Sequence, residues 1–323
     1  MRAIEVRTNG GPEVLEPVEL DDPVPGDGEL LVQVAAAGVN YIDTYLRSGL
    51  YPATLPFVPG FEGAGAVVGV GAGVSDFAEG DRVAWSGTLG SYAQRVTVPA
   101  SEAIAVPDEL DDHRAAAALL QGMTSHYLVT SSYPVAEGDT VLVHAAAGGT
   151  GLLLTQLVKS RGGRVIGTVS TDAKEELARA AGADEVIRYT EVDDLAAEVR
   201  KLTDGDGVAA VYDGVGAATF DASLASLRRR GTLVLFGSSS GPVPPVDLQR
   251  LNAAGSVFVT RPKLGDHTAT REELAWRAGE ILDAAVNGEL DLRIGATYPL
   301  ADARRAHEDL QSRRTTGKLL LLP

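Results

Sequence analysis

Two stretches of the chain carry residues whose types and spacing could do chemistry. The first, His144-Ala145-Ala146-Ala147-Gly148-Gly149-Thr150-Gly151, follows an apolar run from Thr140 and leads into a helical stretch from Leu152 to Ser160. Small residues in such a turn let the backbone approach a pyrophosphate, whose charge the free N–H groups of the helix start can meet. Against the pattern G-x-G-x-x-G, Ala146 takes the first glycine position while Gly148 and Gly151 hold the others. A ligand-free strand-to-helix turn would read similarly; the order strand, turn, helix, strand favours a dinucleotide. The second stretch places Asn40, Asp43, Tyr45 and Tyr51 within twelve residues. Tyrosines suit a flat acceptor, since they offer a ring for stacking and a phenol for developing negative charge. They could equally be core or rim aromatics, but with only 5% aromatic residues in the chain, tyrosines at 41, 45 and 51 point to a built surface. Asp43 is expected to orient Asn40 or a tyrosine rather than to transfer protons.

About twenty residues beyond the turn, the next strand ends at Ser170, where an NAD enzyme would place Asp or Glu against the ribose hydroxyls. A small hydroxyl there leaves room for a 2′-phosphate, and Lys174 follows in the first turn of the next helix. Asp172 is the competing reading, because a carboxylate there could pair with a ribose. Asp172-Ala173-Lys174-Glu175 reads as a capping box that spends Asp172 on helix N–H groups, which favours NADP over NAD.

The elements that must position these residues fall into two patterns. Residues 1 to about 124 read as short strands between Gly and Pro turns: Leu30 to Val34, Ala66 to Val70, Asp81 to Trp85 and Gln94 to Val98. From Thr140 apolar strands alternate with helices, the pattern of a parallel sheet with crossover helices. Its strands are Thr140 to His144, Arg164 to Val169, Glu185 to Tyr189, Ala209 to Asp213, Thr232 to Gly237 and Ser256 to Thr260. Then come a helix from Thr270 with a capping box, a second helix near Ala301 to Gln311 and a last strand, Lys318 to Leu322, returning to the first domain. The reading is an α/β chain of two domains sharing a cleft, 1–124 with 262–323 and 125–261.

Composition narrows the function classes. A formal charge of −16, from 44 acidic against 28 basic residues, opposes nucleic acid and anionic membranes as partners. No apolar run is long enough for a membrane span, and the first residues lack an export signal, so a cytoplasmic location is expected. With no cysteine, the chain has no disulfides, thiolate nucleophiles, thiolate zinc sites or iron–sulfur clusters.

Together these motifs resemble the zeta-crystallin-like quinone oxidoreductases of the medium-chain dehydrogenase/reductase superfamily over nearly the whole chain. The residues that carry the resemblance are Gly38 to Pro52, His144 to Gly151, Phe236 to Gly241, Val259 to Pro262 and Tyr298 to Ala303. It implies a GroES-like, mainly β domain joined to a doubly wound parallel-sheet (Rossmann) domain, usually as a homodimer. It also implies NADP contacts at Asn40, Thr124, Ala147, Gly148, Gly149, Ser170, Lys174, Tyr189, Gly216, Ser238, Val259, Thr260, Arg261 and Arg313, with Arg314 as an alternative to Arg313. Gln121, where Lys is frequent, and Ser238, where Asn is common, depart from the family pattern. Zinc members of the superfamily carry Gly-His-Glu where this chain has Gly60-Phe61-Glu62. Phenylalanine cannot ligate zinc, so no metal is expected, and Glu62 reads as a structural carboxylate. The histidines at 113, 126, 144, 267 and 307 show no ligand spacing: His144 reads as a satisfied core group, His307 as a surface helix residue.

Without metal or flavin, catalysis must rest on holding the acceptor against the nicotinamide and stabilising the oxyanion formed as hydride arrives. The resemblance places Asn40, Asp43, Tyr45 and Tyr51 in the cleft with Thr124 and Arg261, where they would face a quinone-like acceptor. An NADPH-dependent alkenal or enone reductase is the alternative enzyme reading, and a non-catalytic NADPH-binding protein the alternative outside enzymes.

Overall fold

A computed structural model describes the chain from Met1 to Pro323. It forms two compact units, Met1–Met123 with Thr268–Pro323, and Thr124–His267. Residues 262–267, expected to return with the first domain, pack with the second unit.

In the first unit a seven-stranded sheet runs in the order Ile294–Pro299, Lys318–Leu322, Glu29–Val39, Glu62–Val70, Arg82–Ser86, Ile104–Ala105, with Arg95–Pro99 also paired to Glu29–Val39. The long strand Glu29–Val39 is its hub. Leu30, Val32, Val34 and Ala36 alternate into the core, and the small residues from Ala35 to Gly38 carry the strand on past the expected end at Val34. That extension pairs with the last strand, Val39 opposite Leu319 and Gly38 opposite Leu320. Helix Tyr41–Arg47 follows at once, and Ala303–Gln311 packs near the chain end. The long helix Arg271–Val286 starts with the expected capping box, since Thr270 Oγ1 accepts from Glu273 N at 3.2 Å and Thr270 N donates back to the Glu273 carboxylate at 3.4 Å.

The second unit holds six parallel strands, Glu185–Arg188, Arg164–Val169, Thr140–Val143, Val208–Asp213, Leu227–Leu235 and Phe258–Thr260, in that spatial order. Counted along the chain the order is 3-2-1-4-5-6, so it reverses between Thr140–Val143 and Val208–Asp213. In such a sheet the crevice beyond the strand ends at the reversal is where a ligand fits. The strand Leu227–Leu235 begins earlier than expected, because Leu227 pairs with Val208 before a register shift and Arg230, in the left-handed region at φ 58°, carries the irregularity. No helix of the chain is long and apolar enough to cross a membrane.

Candidate active site

The second unit holds most of the expected cofactor residues, many of them at one edge of its sheet. Because all six strands run the same way, Ala147 to Gly149, Ser170, Tyr189, Gly216 and Ser238 follow the carboxyl ends of successive strands, and Val259 and Thr260 lie in the last one with Arg261 just beyond. The turn between Val143 and helix Gly149–Lys159 is tight: Ala145 sits at φ 51°, and Gly148 N donates to Ala145 O at 2.8 Å. A Cβ on Gly151 would stand 2.3 Å from Ala145 O and 2.8 Å from Ala146 Cα, so only glycine lets helix and strand meet here. The helix N-cap is Gly148, which has no side chain to cap the first turn, an arrangement that suits a pyrophosphate.

Across the reversal, Asp213 builds the facing turn. Its buried carboxylate accepts from Val215 N at 2.8 Å, Gly216 N at 3.0 Å, the Thr219 hydroxyl and Ser223 Oγ at 2.8 Å. These bonds hold Gly216 at φ 93°, where a Cβ would meet Gly241 O at 2.7 Å. Since Ser223 donates to Asp213, it must accept from His144 Nε2, leaving His144 Nδ1 to accept from Thr168 Oγ1. Burial lowers the His144 pKa, and the ring is neutral with both nitrogens satisfied, the core role expected. Asp213 itself was not anticipated; the Asp-Gly-x-Gly run from Asp213 to Gly216 at a strand end was the available signal.

At the far corner, Ser170 ends the strand Arg164–Val169 and the helix Asp172–Ala180 begins. The expected cap is corrected here. Thr171, extended at φ −148°, is the N-cap and accepts from Lys174 N, while Asp172 already lies inside the helix. Its carboxylate pairs with Arg188. Tyr189, exposed, follows Arg188, and Thr190 Oγ1 donates to Ser170 O at 3.5 Å.

The first unit holds a buried polar cluster around Asn40. Lys318 Nζ donates to Asn40 Oδ1 at 2.7 Å and to Glu62 Oε2, Asn40 Nδ2 donates to Glu62 Oε2 at 3.0 Å, and Leu120 N donates to Glu62 Oε1 at 2.7 Å. Glu62 is a structural carboxylate, as expected. A Cβ at Gly38 would stand 2.4 Å from Glu62 Oε2 and 2.7 Å from Lys318 Cε, so the glycine makes room for the pair. Asp43 is wholly buried; it accepts from Asn40 N at 2.8 Å and from Tyr92 OH at 3.0 Å. The tyrosine it orients is therefore Tyr92, not Tyr45 or Tyr51.

His307 corrects a second expectation: it is not on the surface but fully buried. Arg47 can only donate, so His307 Nδ1 accepts from Arg47 Nη1 at 3.0 Å, and its Nε2–H faces Tyr92 OH at 3.0 Å. The periodicity of the polar sequence Arg304-Arg305-Ala306-His307-Glu308 hid an inward face of Ala303, Ala306 and His307. Around this core the tyrosines form a partly exposed ladder, with ring centroids 6.2 Å apart for Tyr41–Tyr45 and 5.3 Å for Tyr45–Tyr51. Tyr41 OH donates to Leu310 O at 3.1 Å and is committed to the scaffold. Arg313 lies in this unit, exposed at φ 58° past the last helix, near enough to oppose the burial-driven rise in the Tyr41 pKa. Thr124, half-buried, lies in the last turn of helix Asp112–Tyr127.

Comparison with known proteins fits this architecture. The model of an alcohol dehydrogenase GroES-like domain matches residues 26–108, and that of a zinc-binding dehydrogenase matches residues 149–276. A quinone oxidoreductase of Pseudomonas aeruginosa is 44% identical, covering 100% of this chain and 99% of its own. The chain belongs to the quinone oxidoreductase family. A mycobacterial protein solved in complex with NADPH superposes with a TM-score of 0.97 at 56% identity, each chain fully covered. The Escherichia coli quinone oxidoreductase complexed with NADPH gives a TM-score of 0.98 at 43% identity, again over both full chains.

The zinc in the name of one matching domain model does not fit the residues of this quinone oxidoreductase family member. Phe61 stands beside Glu62 where a ligand histidine would be needed, the Glu62 carboxylate is already bonded to Lys318, Asn40 and Leu120 N, and no three His, Asp or Glu side chains converge as a ligand set.

The buried chain also sets the pH behaviour of the first unit. Burial pushes the Asp43 carboxyl up to about 7, against the donations from Asn40 N and Tyr92 OH and the Lys318 charge, with Glu62 adding to the rise. Burial, with Arg47, pushes His307 down to about 3, and burial with Asp43 holds the Tyr92 phenol well above its ordinary value. A raised carboxyl stabilises the fold most below its unfolded pKa of about 4 and loses that contribution as pH rises towards 7. A depressed histidine does the opposite, losing stability as pH falls from about 6.5 towards 3. The two oppose each other between pH 4 and 6.5, so Asp43→Asn is expected to leave the histidine contribution alone. Its melting temperature, followed by calorimetry, should rise more steeply from pH 4 to 6.5 than that of the parent; parallel profiles would show that Asp43 does not titrate in this window.

Proposed function

We infer that the chain is a zinc-independent NADPH:quinone oxidoreductase. The observation that carries the reading is the gathering of Ala147 to Gly149, Ser170, Tyr189, Gly216 and Ser238 at the carboxyl edge of the parallel sheet, in a chain 44% identical over its length to a quinone oxidoreductase. NADPH, when bound, supplies the hydride. The first-turn N–H groups after Gly148 bind its pyrophosphate, the turn fixed by Asp213 shapes the facing wall at Gly216, and Ser238, Val259 and Thr260 line the same edge. Ser170 and Lys174 take the 2′-phosphate, with Tyr189 along the adenosine and Arg313 or Arg314 as a second cation. Thr124, Arg261 and Asn40 hold the nicotinamide end.

For the acceptor, Tyr45 and Tyr51 are the residues that can do chemistry. Their edge-to-face contact gives a partly exposed aromatic wall, and their phenols can meet the oxygen on which negative charge grows. Asp43, wholly buried, acts through Asn40 and Tyr92. Hydride delivered to a quinone leaves a quinol monoanion, and one proton from solvent completes the quinol. With NADPH and a quinone, turnover should persist undiminished in excess chelator. Tyr45→Phe and Tyr51→Phe should each lower kcat while NADPH affinity stays nearly constant; full turnover in both would make the pair scaffold.

The cofactor assignment has its own test. A partly exposed charge-assisted contact contributes about 1.5–3 kcal/mol, or roughly ten- to a hundredfold in affinity. Lys174→Ala is expected to weaken NADPH by about that factor and leave NADH almost untouched, as read by titration calorimetry. Equal losses for both cofactors would show that the phosphate is not read at this lysine.

The protein is further proposed to be a homodimer. Strand Phe258–Thr260 ends its sheet with Phe258 61% and Val259 38% exposed, an apolar edge that a second copy can pair by the two-fold rule for identical edges. Sedimentation velocity should give a dimer for the parent and a monomer for Phe258→Glu; a monomeric parent would refute the assembly.

A further inference from the structure

We propose that Arg188 is a specificity-determining positioning residue: its guanidinium pairs with the carboxylates of Asp172 and Glu191, which flank the strand end at Ser170, and by offsetting part of their charge keeps that corner receptive to a 2′-phosphate. The proposal rests on the reading that Ser170 and Lys174 take the adenosine end of NADPH, and it deepens that reading.

Arg188 is the last residue of strand Glu185–Arg188 and lies opposite Val169 in the parallel register, next to Ser170 on the neighbouring strand. Its side chain is held on three sides. Nη1 pairs with Asp172, Nη2 lies 3.0 Å from Glu191 Oε2, and Nε lies 3.5 Å from Glu175 Oε2. Glu175 is shared with Arg179, whose Nε donates to it at 2.9 Å. Asp172 and Glu191 have no such second cation among these pairs, so their balance falls on Arg188.

The position of the two carboxylates gives this balance its consequence. Because Thr171 caps the helix, the Asp172 carboxylate is not spent on N–H groups, and its side chain is 81% exposed. Glu191 is carried by the loop whose Thr190 Oγ1 donates to Ser170 O. A bare carboxylate at this end of the second strand is the feature that accepts ribose hydroxyls and repels a phosphate. Around Ser170 the chain therefore presents the ingredients of an NAD site, and Arg188 is the group that suppresses them. The pairs are solvent-exposed, so the effect on stability is small, but the sign of the local field is what a dianionic phosphate reads.

Equilibrium binding of NADPH and NADH to the full chain tests this. Arg188→Gln is expected to weaken NADPH by roughly three- to tenfold while leaving NADH unchanged or tighter. Adding Asp172→Asn and Glu191→Gln to that variant should restore NADPH binding, because the charges that needed masking are gone. A fall in both affinities together, with an unchanged NADPH-to-NADH ratio, would reduce Arg188 to a structural residue and overturn the proposal. So would failure of the triple variant to recover, since Arg188 would then act on the phosphate directly. A parent that binds the two cofactors equally would instead bring down the phosphate reading itself, and Arg188 with it.

Discussion

A carboxylate and an ammonium enclosed together, Glu62 and Lys318, impose a constraint on the first unit that its neighbouring strands must meet. Desolvating two such charges is repaid only when every remaining lone pair and proton finds a partner, and removing one partner alone costs about 3–5 kcal/mol. Here Glu62 accepts from Lys318, Asn40 Nδ2 and Leu120 N, and Lys318 donates two of its three protons, to Glu62 and Asn40 Oδ1. The pair thereby ties the last strand to the strand Glu62–Val70 and to the end of Glu29–Val39, pieces far apart in sequence. Gly38 is the steric condition for it. The same bonds fix the polarity of Asn40: its amide hydrogens go to Glu62 and to Gly38 O at 3.4 Å, so what remains is acceptor capacity on Oδ1. A ligand group reaching this side chain must bring a donor. With its charge already met by Lys318, Glu62 has no part to play beside a metal, consistent with Phe61 as its neighbour.

In the second unit the equivalent constraint is topological. Reversal of the strand order opens the crevice, and two turns built by different means line it. One depends on the absence of side chains, at Gly148 and Gly151; the other depends on one side chain, Asp213, whose buried carboxylate gathers two backbone N–H groups and two hydroxyls. Through Ser223 the second turn is linked to His144, just past the first strand, so the two walls are braced by a hydrogen-bonded chain that crosses beneath the crevice.

What could be read in the sequence follows from where each signal is stored. The parallel strands, the glycine turn and the Thr270 capping box are local patterns, and apart from the early start of Leu227–Leu235 the structure places the strands within two residues of their expected bounds. The GroES-like sheet was legible in five of its strands, but its hub extends past Val34 because tertiary pairing with the last strand, not local propensity, carries a run of alanines onward. The misreadings have a common cause. Asp172 satisfied a capping-box pattern, yet the hydroxyl of Thr171 caps the helix one residue earlier, and His307 sat in a polar run whose inward face only packing reveals. Lys318 and Arg188 gave almost no signal, since a single basic residue at a strand terminus is ordinarily solvated; their roles arise from partners 256 and 16 residues away.

The overall charge of −16 and an anionic cofactor are compatible because the two act over different ranges. At physiological ionic strength the screening length is about 8 Å, so most of the acidic surface is invisible to a phosphate seated at the sheet edge. On the proposed reading, what a phosphate would meet is local: the N–H groups that begin helix Gly149–Lys159, Lys174 in the first turn of the next helix, and a cluster in which Arg188 and Arg179 stand against Asp172, Glu175 and Glu191. Such a site needs no basic surface, only a short-range balance that is neutral or positive within one screening length. In the proposed site that balance comes from carboxylates paired in place, which leaves the rest of the surface free to stay acidic.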